Sequence, residues 1–225
     1  MASLERHIVA IGGFVGEPSL RDYVLELTGT AHPKVRFLGT ATGDDPWATE
    51  RFYAQWPATR CEPAHVPLFG VPDHPNERLL EADAIVVSGG NTANLLAVWR
   101  AHGIDKTVRD AWERGTVLTG WSAGAICWFE SGVTDSFSEE LDPIAGCLGF
   151  LAGSMCPHYD SEERRRPVYT ALVREGRLAP GIAADDHVGL HFAGTALAEF
   201  VTSVAGQAAY RVDRDGETRI DATVL

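Results

Sequence analysis

Two hydrophobic patterns alternate along the first half of the chain. Short unbroken apolar runs, HIVAIGG (7–13), KVRFLGTA (34–41), ADAIVVSGG (82–90) and TVLTG (116–120), have the length and β-branched content of strands buried on both faces. Between them, apolar residues recur at three- and four-residue spacing in SLRDYVLELTG, DDPWATERFYAQW, NTANLLAVWRAHG and KTVRDAWERG, which predicts helices. Asp44 or Asp45 caps the second of these, with Pro46 at its first position, and Gly29 and Gly103 stop the first and third. Strands alternating with helices imply a mostly parallel sheet with helices on both faces. Right-handed crossovers then bring the C-terminal ends of the strands to one edge, where ligands bind in such sheets. Three glycine-rich turns, GGFVGE, SGGNTAN and GWSAGA, arrive at that edge.

After about residue 180 the pattern changes. GIAADDHVGLHF, EFVTSVAG, AAYRVDRDG and ETRIDATVL read as strands joined by tight turns, an antiparallel C-terminal extension. No linker, repeat or low-complexity tract interrupts the chain, so residues 1–225 are expected to form one α/β domain.

Charge narrows the partners. The formal net charge of −12 repels phosphate backbones and argues against nucleic acid. No apolar run approaches the roughly 20 residues of a membrane span, and the N-terminus lacks a signal-peptide layout, so a cytoplasmic monomer or homodimer is expected. Cys61, Cys127, Cys147 and Cys156 form no CxxC pair and are expected as free thiols. IGGFVG does not have the GxGxxG spacing of a dinucleotide site.

The candidate chemistry centres on Ser122. A serine hydroxyl needs a base and oxyanion donors before it acts as a nucleophile. In TVLTG-W-S-A-G-AICWF it follows a strand and precedes an apolar helix, with small residues around it. That is the context of a strained turn lifting the hydroxyl above a sheet edge. The amides of Gly90, in SGGN, and Ala123 are candidates for the oxyanion hole. His158, His187 and His191 all remain possible bases on spacing alone. Asp185, Asp186 and Asp135 are the candidate acids.

VSGGNTANLL, GWSAGA, CPHYDSEERRRPVY and GIAADDHVGL, in that order, resemble the peptidase E family, which holds alpha-aspartyl dipeptidases and, more distantly, cyanophycinase. The likeness runs from about residue 7 to 212. It implies a serine peptidase on an α/β fold, acting on small peptides without metal or cofactor. By this resemblance Ser122 is the nucleophile, His158 the base, and Gly90 and Ala123 the oxyanion donors. Asp186 stands where the family commonly has glutamate, and Arg165 matches an arginine that binds the substrate aspartate. The order serine, histidine, acid differs from the serine, acid, histidine order of α/β-hydrolases. An esterase or amidase, or a binding protein that has lost turnover, are the rival readings.

Overall fold

The computed structural model describes residues 5–13 and 18–225. The first half alternates as the pattern predicts: β1 (His7–Ile11), α1 (Pro18–Leu27), β2 (Lys34–Leu38), α2 (Pro46–Gln55), β3 (Glu62–His65), α3 (Pro75–Leu80), β4 (Ala84–Val87), α4 (Thr92–His102), α5 (Ile104–Glu113) and β5 (Val117–Trp121). Strands β1, β5, β4, β2 and β3 lie side by side in that order, all parallel. Their side chains alternate between two cores. Ile8, Ala10, Ile85 and Val87 face the layer of α3, α4 and α5, whereas Val9, Ile11, Ala84 and Val86 face α1 and α2.

The helices follow from local chemistry. Asp45 caps α2 by accepting the Trp47 N–H at 3.1 Å, with Pro46 at the first position. In α5 the buried residues Ile104, Thr107, Val108, Ala111 and Trp112 form one stripe at i, i+3, i+4, i+7 and i+8.

After β5 comes α6 (Ala123–Ile126), then β6 (Phe129–Thr134), β7 (Asp142–Ala145), β8 (Leu151–Cys156), α7 (Arg165–Arg174) and β9 (Gly181–Ala184). The helix expected through AICWF is only four residues long, because the chain turns into β6 at Phe129. β10 (Val188–Ala193), β11 (Ala196–Thr202), β12 (Ala208–Asp213), β13 (Gly216–Asp221) and β14 (Thr223–Val224) complete the chain.

These later strands do not form a single extension. β10, β11 and β14 extend the first sheet to eight strands, with β10 antiparallel to β1. The others build a second sheet of six, ordered β13-β12-β9-β8-β6-β7, in which β6, β8 and β9 are parallel. Tyr169, Leu172 and Val173 of α7 pack with Tyr210 and Val212 of β12 in a third core. GIAADDHVGLHF, read as one strand, is therefore two. Residues 185–187 are the turn that carries the chain from one sheet to the other.

Candidate active site

β5 ends at Trp121, and Ser122 enters α6 with φ 54° and ψ −115°, a conformation that costs a non-glycine residue of order 1–3 kcal/mol. The flanking glycine is explained by close approach. A Cβ on Gly124 would sit 2.4 Å from the carbonyl oxygen of Val87 in β4, so only hydrogen lets α6 lie against the sheet. Among the described residues, neither the Ala123 N–H, at the first position of α6, nor the Gly90 N–H donates a hydrogen bond. Gly90 has φ 130°, and Asn91 beside it caps α4 by accepting the Asn94 N–H at 2.8 Å. Asn91 also donates through Nδ2 to Ser136 O and through its backbone N–H to Ala41 O, which fixes the loop on two further sides.

His158 follows β8 and Pro157, with φ 53°. Its Nδ1 lies 2.7 Å from Asp186 Oδ1. Burial raises the Asp186 pKa. Hydrogen bonds from His158 and Ser161 and the charges of His158 and His187 outweigh that and hold the carboxyl below its ordinary range. An ionised carboxylate only accepts, so the proton of this hydrogen bond belongs to Nδ1, and in the neutral ring Nε2 then carries the lone pair. The backbone N–H of Asp186 donates to Asp160 Oδ1 at 2.8 Å, and Asp160 Oδ2 accepts from Gln207 Nε2 at 2.9 Å. Gly13 closes the other side: a Cβ there would lie 2.1 Å from Asp186 Oδ1 and 2.3 Å from His158 Nδ1.

Ser122, Gly90 and His158 line one cleft of about 290 Å³, with Trp47, Phe52 and Trp121 among its walls. The other candidates lie elsewhere. Asp185 turns away from His158 and accepts the Ala208 N–H at 2.9 Å; burial pushes its pKa up to about 6. Asp135 is exposed beyond the end of β6. His191 is buried on β10, 3.0 Å from His7 Nδ1 and 2.6 Å from the Tyr23 hydroxyl. His187 stays in the sheet-to-sheet turn, its backbone N–H donating to Gly13 O. Arg165 is buried and held in place: Nε donates to Glu162 Oε2 at 2.7 Å and Nη1 to Val133 O at 3.0 Å. It does not line the cleft, so the expected aspartate-binding role has no geometric support. Of the three glycine turns, GGFVGE falls mainly on residues 14–17, outside the described residues. Asp160, Gly13 and the cleft walls escaped the sequence reading. For Asp160 the available signal was a carboxylate two residues after His158 in PHYD.

Residues 8–200 match the model of peptidase family S51. The chain belongs to that family. It is 45% identical over 213 residues to the uncharacterized peptidase YgaJ of Bacillus subtilis (strain 168), covering 92% of each chain. A shorter stretch of 86 residues is 41% identical to Peptidase E of Salmonella arizonae, 38% of each chain. Among solved structures, a peptidase from an acI-B1 Actinobacterium superposes with TM-score 0.72 at 18% identity, over 98% of this chain and 96% of that one. A putative Peptidase E protein from Listeria monocytogenes EGD-e gives 0.59 at 15% identity, over 97% and 100%. At such identities these two establish the fold alone. The peptidase E likeness of the serine and histidine motifs agrees with this membership. The four cysteines are free thiols, three of them buried. Among the described residues no group of three or more metal-ligating side chains gathers, and no helix is long and apolar enough to cross a membrane.

Proposed function

We propose that the chain is a serine peptidase of small peptides, with Ser122 as nucleophile. The observation that carries this is the 2.7 Å contact between His158 Nδ1 and Asp186 Oδ1, in a site whose cleft also holds Ser122 on its strained turn. In the reaction, His158 Nε2 accepts the Ser122 proton as Oγ attacks the scissile carbonyl. Asp186 holds the ring in the Nδ1–H tautomer and stabilises the imidazolium that forms. The Gly90 and Ala123 amides receive the oxyanion; loss of one such donor ordinarily costs about 3 kcal/mol of barrier. His158 then passes the proton to the leaving amine, and water, deprotonated by the same ring, releases the acyl group from Ser122.

The test is peptide hydrolysis with wild type and Ser122→Ala. We expect kcat to fall by about 10⁴-fold or more, and a fluorophosphonate to label wild type at Ser122 while leaving the variant unmodified. Unchanged turnover in the variant would remove Ser122 from the mechanism.

A further inference from the structure

The cleft beside Ser122 has aromatic walls. Phe52 stacks on Phe37 with ring centroids 4.7 Å apart and planes 9° from parallel. Phe37 in turn runs parallel to Trp121, 6.3 Å away and 10° off. Phe37 and Phe52 are buried, so packing fixes the orientation of the rings behind the cleft. Trp47, in the first turn of α2, lines the same cleft, yet 61% of its surface is exposed. So large an apolar ring left open at the mouth of a catalytic cleft contributes little to the core and much to whatever enters. Among the described residues lining the cleft, Arg51 is the one permanently charged side chain, and its guanidinium lies 4.7 Å over the Trp47 ring. Arg165, the cation that resemblance assigned to a substrate carboxylate, is tied to Glu162 and Val133 outside the cleft.

We propose that this cleft selects peptides with a large apolar side chain, aromatic or long aliphatic, beside the scissile bond. The proposal rests on the serine peptidase reading of the site. The volume of about 290 Å³ stands at the small end of ligand pockets, on the scale of one large side chain with its main chain. A ring entering beside Trp47, Phe52 and Trp121 gains apolar contact and ring–ring packing at once. A carboxylate entering there loses its hydration against three aromatic residues, with the Arg51 guanidinium over Trp47 as the one lining cation to offset it.

The experiment measures kcat/KM on Phe-Ala, Ala-Phe, Leu-Ala, Ala-Ala and Asp-Ala for wild type, Ser122→Ala, Trp47→Ala and Trp47→Phe. We expect Phe-Ala or Ala-Phe to exceed both Ala-Ala and Asp-Ala by about tenfold or more, the better of the two showing on which side of the bond the cleft lies. Trp47→Ala shrinks that ratio to a few-fold, mainly by raising KM for the aromatic substrate, and Trp47→Phe recovers most of it. A wild-type preference for Asp-Ala or Ala-Ala overturns the proposal, as does an aromatic preference untouched by Trp47→Ala. Failure of the underlying reading looks different: hydrolysis that persists in Ser122→Ala, or no dipeptide cleaved at all.

Discussion

A methyl group on Gly13 has no room between Asp186 Oδ1 and His158 Nδ1, both within 2.3 Å of where it would lie. Either the imidazole and the carboxylate part, or the strand end carrying Gly13 withdraws. The first outcome removes the hydrogen bond that sets the tautomer; the second moves Gly12 O, which accepts the His158 backbone N–H. Gly13→Ala is therefore expected to lower kcat by about a hundredfold, since misplacement on the ångström scale has that effect. Its overpacking cost in stability is roughly 1–3 kcal/mol. Steady-state kinetics beside thermal denaturation checks this; a kcat within twofold of wild type would show that the pair tolerates displacement. Not every residue of the pair was legible in the sequence. Ser122 announces itself because the turn that exposes it demands small neighbours, and those neighbours are adjacent in the chain. Asp185 and Asp186 do not declare which one meets His158. Both lie in the turn from β9 to β10, and only the path of that turn decides which carboxylate meets His158.

The loop between β4 and α4 shows how an element holds a site. Asn91 spans it with three bonds: Oδ1 accepts from the α4 backbone, Nδ2 donates to Ser136 O at 3.0 Å, and its own N–H donates to Ala41 O at 2.8 Å. Asn91→Ala loses the helix cap and the bridge to Ser136, at about 1–2 kcal/mol, and frees the adjacent Gly90 amide to drift. We expect kcat to fall more than KM rises. Asn91→Asp keeps the cap but not the Nδ2 donor, so it should recover most of the stability and little of the kcat; urea denaturation and kinetics on the same preparations separate the two roles. Recovery of both would assign the whole effect to the cap. The βα half of the fold was legible because its strands, buried on both faces, are continuous apolar runs. In the second sheet β9, β12 and β13 were read as strands, but β6, β7 and β8 were not. FESGVT, DPIA and LAGSMC mix glycine, proline and polar residues without a period, although β6 pairs with β7 and β8 close by in the chain. β3, with sequence EPAH at the sheet edge, gave no signal for the same reason.

Across the whole molecule, the turn at residues 185–187 joins the two sheets, and the pKa values of its two carboxyl groups are displaced in opposite directions. Asp186, held below its ordinary pKa by His158 and Ser161, adds stability that is present above pH 3.8 and lost as pH falls further. Asp185 is raised from 3.8 to about 6, chiefly by burial. Between those values the folded chain keeps a proton that the unfolded chain has already released, so stability falls as pH rises, and above about 6 the loss is complete. A shift of this size corresponds to something on the order of 3 kcal/mol. Asp185→Asn keeps an acceptor for the Ala208 N–H and cannot ionise. Its stability relative to wild type should therefore improve by up to that amount between pH 4 and pH 7.5, read from urea midpoints at the two values. His191 contributes an opposing slope: burial and the charge of His7 lower its pKa, so stability falls as pH drops below the ordinary histidine value of 6.5. That slope is common to both proteins and cancels in the difference, which isolates Asp185. Parallel profiles for the two chains would mean that the junction between the sheets accommodates the charge, for instance by admitting water to Asp185 Oδ1, which has no partner among the described residues.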